Sequence, residues 1–211
     1  DIHGNAATIC HDVVAAAKEA IRNPIGTKPL REIVHAGESV AIIISDITRL
    51  CGTKEFLPVI VEELNSVGVK DEDITVVVAT GTHRGHTHEE DVTVCGEEMV
   101  RRLRIIQHDS RKKEDMVSLG KTSFGNEVAI NKYVANADRV ILTGAVTLHP
   151  FAGFGGGRKA VMPGVAAYDS IMMNHCMTMS PVEGGGCNKA CDASLLEGNP
   201  IHQDMKESAA L

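Results

Sequence analysis

Glu38-Ser-Val-Ala-Ile-Ile-Ile-Ser-Asp-Ile-Thr-Arg49 is an unbroken apolar run closed by a polar cluster. It does not alternate apolar with polar residues. That pattern marks a strand buried on both faces, as in a parallel sheet covered by helices on each side. Asp73-Ile-Thr-Val-Val-Val-Ala-Thr-Gly-Thr-His-Arg84 repeats the design. A helical stripe lies between them, with Phe56, Val59, Ile60 and Leu64 spaced to face a core. Strand, helix, strand with buried strands reads as a βαβ unit.

Working outward, Ala6 to Arg22 is predicted as a helix stopped by Asn23-Pro24, and Pro29 to His35 as a short helical piece. One helix is expected from about His88 to Leu103. Strands are expected at Arg104–His108, Glu127–Asn131 and Asp138–Val146, the last reaching His149, while Lys112 to Asn126 reads as a polar loop. After His149 come four glycines in five positions (Gly153, Gly155, Gly156 and Gly157), then Arg158-Lys159. Pro163 suits the first turn of a helix running to His175. The whole is an α/β chain with a doubly wound, Rossmann-like, mostly parallel sheet and helices on both faces. In such sheets ligands bind outside the carboxyl ends of the strands. Asp46–Arg49, Gly81–Arg84 and His149–Lys159 are therefore expected to converge on one crevice.

Composition narrows the function. The chain has 211 residues, 43% of them hydrophobic, with no Trp and a net charge of −7. That charge argues against nucleic acid or a membrane surface as partner. No run reaches the ~18 apolar residues of a membrane span, and a secretory leader is not expected. The six scattered cysteines read as reduced thiols of a cytoplasmic protein. Cys187 and Cys191 have metal or disulfide spacing but lack the second pair that a zinc site needs. Both ends read as cut, so a fragment of a longer protein is expected.

The clusters carry chemistry of a recognisable kind. His83 and His149, at two converging strand ends, make an acid/base pair, because imidazole titrates near neutral pH. Arg49 offers a planar fork for a carboxylate or phosphate, and Asp46 is placed to orient it or a substrate hydroxyl. Lys159 is a charge or a nucleophile. It does not belong to a Walker A loop, which has Gly before and Ser or Thr after the lysine; here Arg158 and Ala160 flank it. The glycines miss the dinucleotide spacing. His86 and His88 resemble a metal cluster in composition, but their spacing is irregular and they read as solvated loop residues. His108 and His202 are given no role. Two other readings stay open: a nucleotide-binding domain without turnover, and a nicotinamide-dependent dehydrogenase.

Asp46-Ile-Thr-Arg49, Gly81-Thr-His-Arg84 and His149…Ala152-Gly-Phe-Gly-Gly-Gly-Arg-Lys159…Met162-Pro-Gly164…His175 together resemble the N-terminal, catalytic and cofactor-binding domain of the lactate racemase family over nearly all of residues 1–211. The resemblance implies an isomerase that racemises or epimerises a lactate-like 2-hydroxy acid by hydride transfer to a nickel-pincer nucleotide. Lys159 falls on the lysine that carries this cofactor covalently and His175 on a nickel ligand. His83 and His149 fall on the paired acid/base histidines. Arg49, Asp46 and Thr48 fall on the substrate site. Gly155, Gly156, Gly157, Thr82 and Arg84 fall on the cofactor cradle. Enzymes that make the cofactor are the implied protein partners. The family also has a C-terminal domain that supplies a lysine and closes over the site. Ile47, Leu50 and Arg158 depart from the family pattern. Arg158 is read either as a contact for a larger or more anionic substrate or as a solvent-facing side chain.

Overall fold

A computed structural model describes residues 10–182 and 184–211. The first helix, α1, is Val13–Arg22 and starts later than the periodicity suggests. Asp12 accounts for this: its carboxylate accepts the Ala15 amide and caps the helix there. The stretch before Cys10 lies outside the described residues. After the short α2 (Leu30–Ile33) comes β1, Val40–Ser45. Helix α3 (Thr53–Ser66) leads to β2, Ile74–Ala79.

The single helix expected over His88–Leu103 is two, α4 (His88–Cys95) and α5 (Glu97–Arg102). Gly96 separates them at φ +84°, a conformation that glycine adopts without strain. Thr87 and Glu90 form a reciprocal capping box at the start of α4. Strand β3 (Arg104–Gln107) follows as expected.

The polar loop does not hold throughout. Met116–Lys121 is a strand, β4, antiparallel to β5 (Glu127–Asn131). Its polar character hid it because one side faces water. A four-residue helix, α6 (Lys132–Ala135), leads to β6, which is only Arg139–Leu142. The chain then leaves the sheet, so His149 does not end that strand. It lies in β7 (Leu148–His149), which pairs antiparallel with β8 (Gly153–Phe154). Pro163 does not open a helix either; turns carry the chain to α7, Tyr168–Cys176. The C-terminal helix α8 is Pro200–Ser208. Its start is well marked: Asn199 accepts two backbone amides and Pro200 opens the first turn.

The main sheet has the order β3-β2-β1-β6, all parallel, with Val40 opposite both Ile74 and Arg139. Side chains alternate between two cores. Val40, Ile42, Ile44, Val76 and Val78 pack toward α3, α4 and α5. Ala41, Ile43 and Val77 pack toward Val128, Met162, Val165, Ile171, Ile201 and Met205. Ile42, Ile43 and Ile44 are all fully buried, which is why the run shows no polar alternation. The chain moves outward from β1 to β2 to β3, then returns to the far side of β1 as β6. That reversal opens a crevice at the carboxyl ends of the strands. On the second face, buried Asp204 accepts from Thr122 Oγ1 (2.7 Å), Asn126 Nδ2 (2.9 Å) and Asn174 Nδ2 (2.7 Å). It thereby locks α7, which carries His175, to α8 and to the hairpin.

Candidate active site

A crevice of about 470 Å³ opens at the reversal. Asp46 and Arg49 beyond β1, Thr82 and His83 beyond β2, Thr143 to Ala145 beyond β6, and His149, Phe151, Gly155, Gly156, Lys159 and His175 line it. The three predicted clusters do converge.

On the wall built by β1 and β2, Asp46 is the hub. It is 3% exposed. One carboxylate oxygen accepts the Thr48 amide (3.1 Å) and Thr48 Oγ1 (2.6 Å). The other lies 2.5 Å from His83 Nδ1. An anionic acceptor there fixes the proton on Nδ1 and leaves Nε2 as the second ring nitrogen of His83. Thr48 Oγ1 in turn accepts from Arg49 Nη1 at 3.1 Å. Asp46 thus orients both His83 and, through Thr48, the Arg49 guanidinium. Thr48 does not line the crevice; it works through its neighbours.

The opposite wall is built by the glycine-rich segment and α7. Among the described residues no carboxylate pairs with His149; its Nδ1 accepts the Ala152 amide at 3.3 Å. Phe151 stands edge-on to His149, centroids 4.4 Å apart, and to His175 at 5.4 Å. Burial, helped by the charges of Lys159 and Arg49, pushes the His149 pKa down to about 4. Burial, with Arg49 and Arg158 nearby, lowers Lys159 to about 8, and its Nζ lies over the Phe151 ring at 5.8 Å. Burial also lowers His175, assisted by Lys159. His175 Nδ1 donates to the Ile171 carbonyl at 3.0 Å, which leaves Nε2 with a lone pair.

The glycines have a closer partner than a ligand. A Cβ on Gly155 would stand 2.9 Å from the Ala145 carbonyl oxygen, and Gly156 adopts φ +75°. Both let the segment after β6 pack against the turn. Gly157 faces away, into an apolar groove beside α1 and β6. Arg84 also turns away, with both terminal nitrogens 2.7 Å from Glu90. Arg158 neither meets the crevice nor points freely to solvent: its Nη2 donates to the Ala152 and Phe154 carbonyls. It braces the glycine turn.

Two histidines are more buried than their sequence context suggested. His86 has a side chain 1% exposed. His108 is buried, with Nε2 on the Ala166 carbonyl and Nδ1 facing Asn131. Phe151 and the Asp46–His83 pairing were missed as well. A carboxylate directly after one strand and a histidine four residues beyond the next was the available signal. All six cysteines are free thiols, and among the described residues no three His, Cys, Asp or Glu gather as a metal site.

The lactate racemase N-terminal domain profile matches residues 2–186. The chain belongs to the lactate racemase family. It is 37% identical over 188 residues to a lactate racemase of Thermoanaerobacterium thermosaccharolyticum and 39% identical over 194 residues to one of Lactiplantibacillus plantarum. These matches take in 89% and 91% of the chain but 42% and 44% of the relatives. The lactate racemase apoprotein structure from T. thermosaccharolyticum superposes with a TM-score of 0.84 at 35% identity, over 93% of this chain and 46% of that one. A Thermotoga maritima crystal structure shares the fold, TM-score 0.67, at 19% identity, over 94% of this chain and 47% of that one. The chain therefore spans a little under half the length of the relatives it matches.

Proposed function

We propose that the intact protein is an isomerase that racemises or epimerises a lactate-like 2-hydroxy acid, working with a nickel-pincer nucleotide joined to Lys159. One observation carries this reading: two histidines, a half-buried lysine of lowered pKa, a third histidine with one nitrogen tied back, and an arginine line one crevice.

The residues fit such a group. Lys159 keeps part of its amine neutral near pH 8, as covalent attachment requires. His175 presents one imidazole nitrogen, held by the Ile171 carbonyl, which suits a metal that brings its other ligands with it. When bound, the cofactor supplies the acceptor and donor for hydride. Arg49 holds the substrate carboxylate with its fork, steadied by Thr48. His83, fixed by Asp46, takes or returns the hydroxyl proton on one side through Nε2. His149 is the matching group on the opposite wall and stays neutral down to about pH 4; its Nδ1 accepts the Ala152 amide, so the proton it exchanges with the substrate oxygen lies on Nε2. With hydride returned to Cα on either face of the flat keto acid, a histidine would return the proton to its oxygen, and inversion at Cα needs both faces to be open to that return.

The implied partners are the substrate and the enzymes that make the cofactor. A cytoplasmic location accords with six free cysteines. Among the described residues no helix is long and apolar enough to cross a membrane.

The test is to express the full-length protein with cofactor-making enzymes, measure intact mass and nickel, and follow D- to L-lactate and related hydroxy acids by chiral chromatography. A mass increment on Lys159, one nickel and interconversion of at least one hydroxy acid are expected. Absence of an increment where a known lactate racemase acquires one overturns the reading. An absorbance change of added nicotinamide on supplying a hydroxy acid would instead make the protein a dehydrogenase.

A further inference from the structure

His86 stands three residues after the acid/base candidate, deep beneath the crevice rather than in it. Its Nε2 accepts the Ile47 amide at 2.8 Å. A nitrogen that accepts carries no proton, so the proton of the neutral ring is on Nδ1, which lies 3.0 Å from Asp91 Oδ1. Asp91 also accepts Gln107 Nε2 at 2.8 Å and 3.1 Å. Gln107 Oε1 closes the ring by accepting the His86 amide at 3.0 Å. Gly85 allows this close approach: a Cβ there would meet Gln107 Cβ at 3.3 Å.

The network joins the ends of β1, β2 and β3 to the first turn of α4. Ile47 sits between Asp46, which holds His83, and Thr48, which holds Arg49. Among the described residues the Ile47–His86 and Asp46–His83 bonds tie the β1 loop to the β2 loop. We propose that His86 is a positioning residue, which sets the distance between the carboxylate-binding Arg49 and the proton-transferring His83. This role rests on the racemase reading above. Its physical basis is that a buried, doubly bonded ring has one tautomer and one orientation. Replacing it leaves the Ile47 amide without an acceptor and lets the Asp46–Arg49 loop drift. Small misplacements of reacting groups cost rate or affinity out of proportion to their size.

The experiment uses the cofactor-loaded full-length enzyme. His86→Phe keeps an aromatic ring and removes both nitrogens. It should raise KM for the hydroxy acid at least about ten-fold, the scale of one lost hydrogen bond, with kcat less affected. The mass increment on Lys159 should stay at the wild-type level. Asp91→Leu should act in the same direction, and the double variant should be no worse than His86→Phe alone. Asp91→Asn, whose Oδ1 still accepts from Nδ1, should fall between Asp91→Leu and wild type. Hydrogen exchange at the Ile47 amide should be fast in His86→Phe and slow in Asp91→Asn. An unchanged KM in a loaded His86→Phe enzyme overturns the inference. So does parallel loss of cofactor, kcat and melting temperature without recovery in Asp91→Asn, which would make the residue scaffold only. Failure of the wild-type enzyme to interconvert any hydroxy acid overturns the racemase reading instead.

Discussion

The two walls of the crevice hold their histidines by opposite means. His83 sits on strand ends and is fixed by a buried carboxylate, itself bonded twice to Thr48. His149 sits on a two-stranded turn, touches a backbone amide and an aromatic edge, and is surrounded by positive charge. The first wall fixes orientation through hydrogen bonds. The second excludes water and disfavours added positive charge. Two histidines that line one crevice are thus held by different forces, one by a carboxylate and one by burial among cations.

The largest effect is expected on the cationic wall. Lys159→Ala should eliminate the covalent cofactor altogether, seen as the loss of the mass increment in full-length protein. A normal increment in that variant would remove the second wall from the comparison. Next come the histidines. His83→Ala and His149→Ala should each keep nickel yet lose racemisation by roughly 10²- to 10⁴-fold, the usual worth of a positioned acid/base group. The comparison sharpens with Asp46→Asn, which should cost activity while the corresponding cofactor load stays normal. An Asp46→Asn enzyme as fast as wild type would show that the carboxylate does not govern His83.

A smaller effect separates the walls by pH. His149 titrates near 4 in the folded chain against an ordinary value near 6.5. Between those values the unfolded chain binds a proton that the folded chain refuses, so stability falls as pH drops from about 6.5 to about 4. His149→Gln should flatten that part of the profile in thermal melts, and the measured quantity is the difference from wild type. His108, His175 and His202 are shifted the same way and cancel in the subtraction. An identical slope in the variant would mean that His149 is not held neutral by its surroundings.

How far the sequence disclosed this site depended on which force places each part. The strands were plain because full burial writes a continuous apolar run, as in Ile42–Ile44. Convergence of the clusters followed from parallel topology alone. Strand β4 was hidden because a half-exposed hairpin strand carries polar residues, among them Ser118 and Lys121. The break at Gly96 looked like one glycine in a helix until its positive φ was seen. His86 was misjudged because the Asp91 and Gln107 that bury it are remote in sequence from the Ile47 amide it serves. Local composition around it, with four charged or histidine neighbours, speaks of solvent. Long-range hydrogen bonds leave no periodic trace.

The smallest predicted effect tests one residue of the cradle that the resemblance implied. Arg84 belongs to the motif Gly81-Thr-His-Arg84, yet its guanidinium turns from the crevice and grips Glu90 through two parallel bonds of 2.7 Å. That contact, with the Thr87 amide, holds the Glu90 carboxyl down to about 2. Glu90 is also the reciprocal member of the capping box that starts α4. Arg84 therefore supports the first turn of α4, the helix that also carries Asp91, rather than a phosphate. Arg84→Ala should leave cofactor loading and kcat within about two-fold of wild type, because exposed ion pairs contribute little. A loss of loading well beyond that would mean that Arg84 swings into the crevice when the nucleotide binds. The hydrogen-bonded wall would then reach the cofactor as well as the substrate.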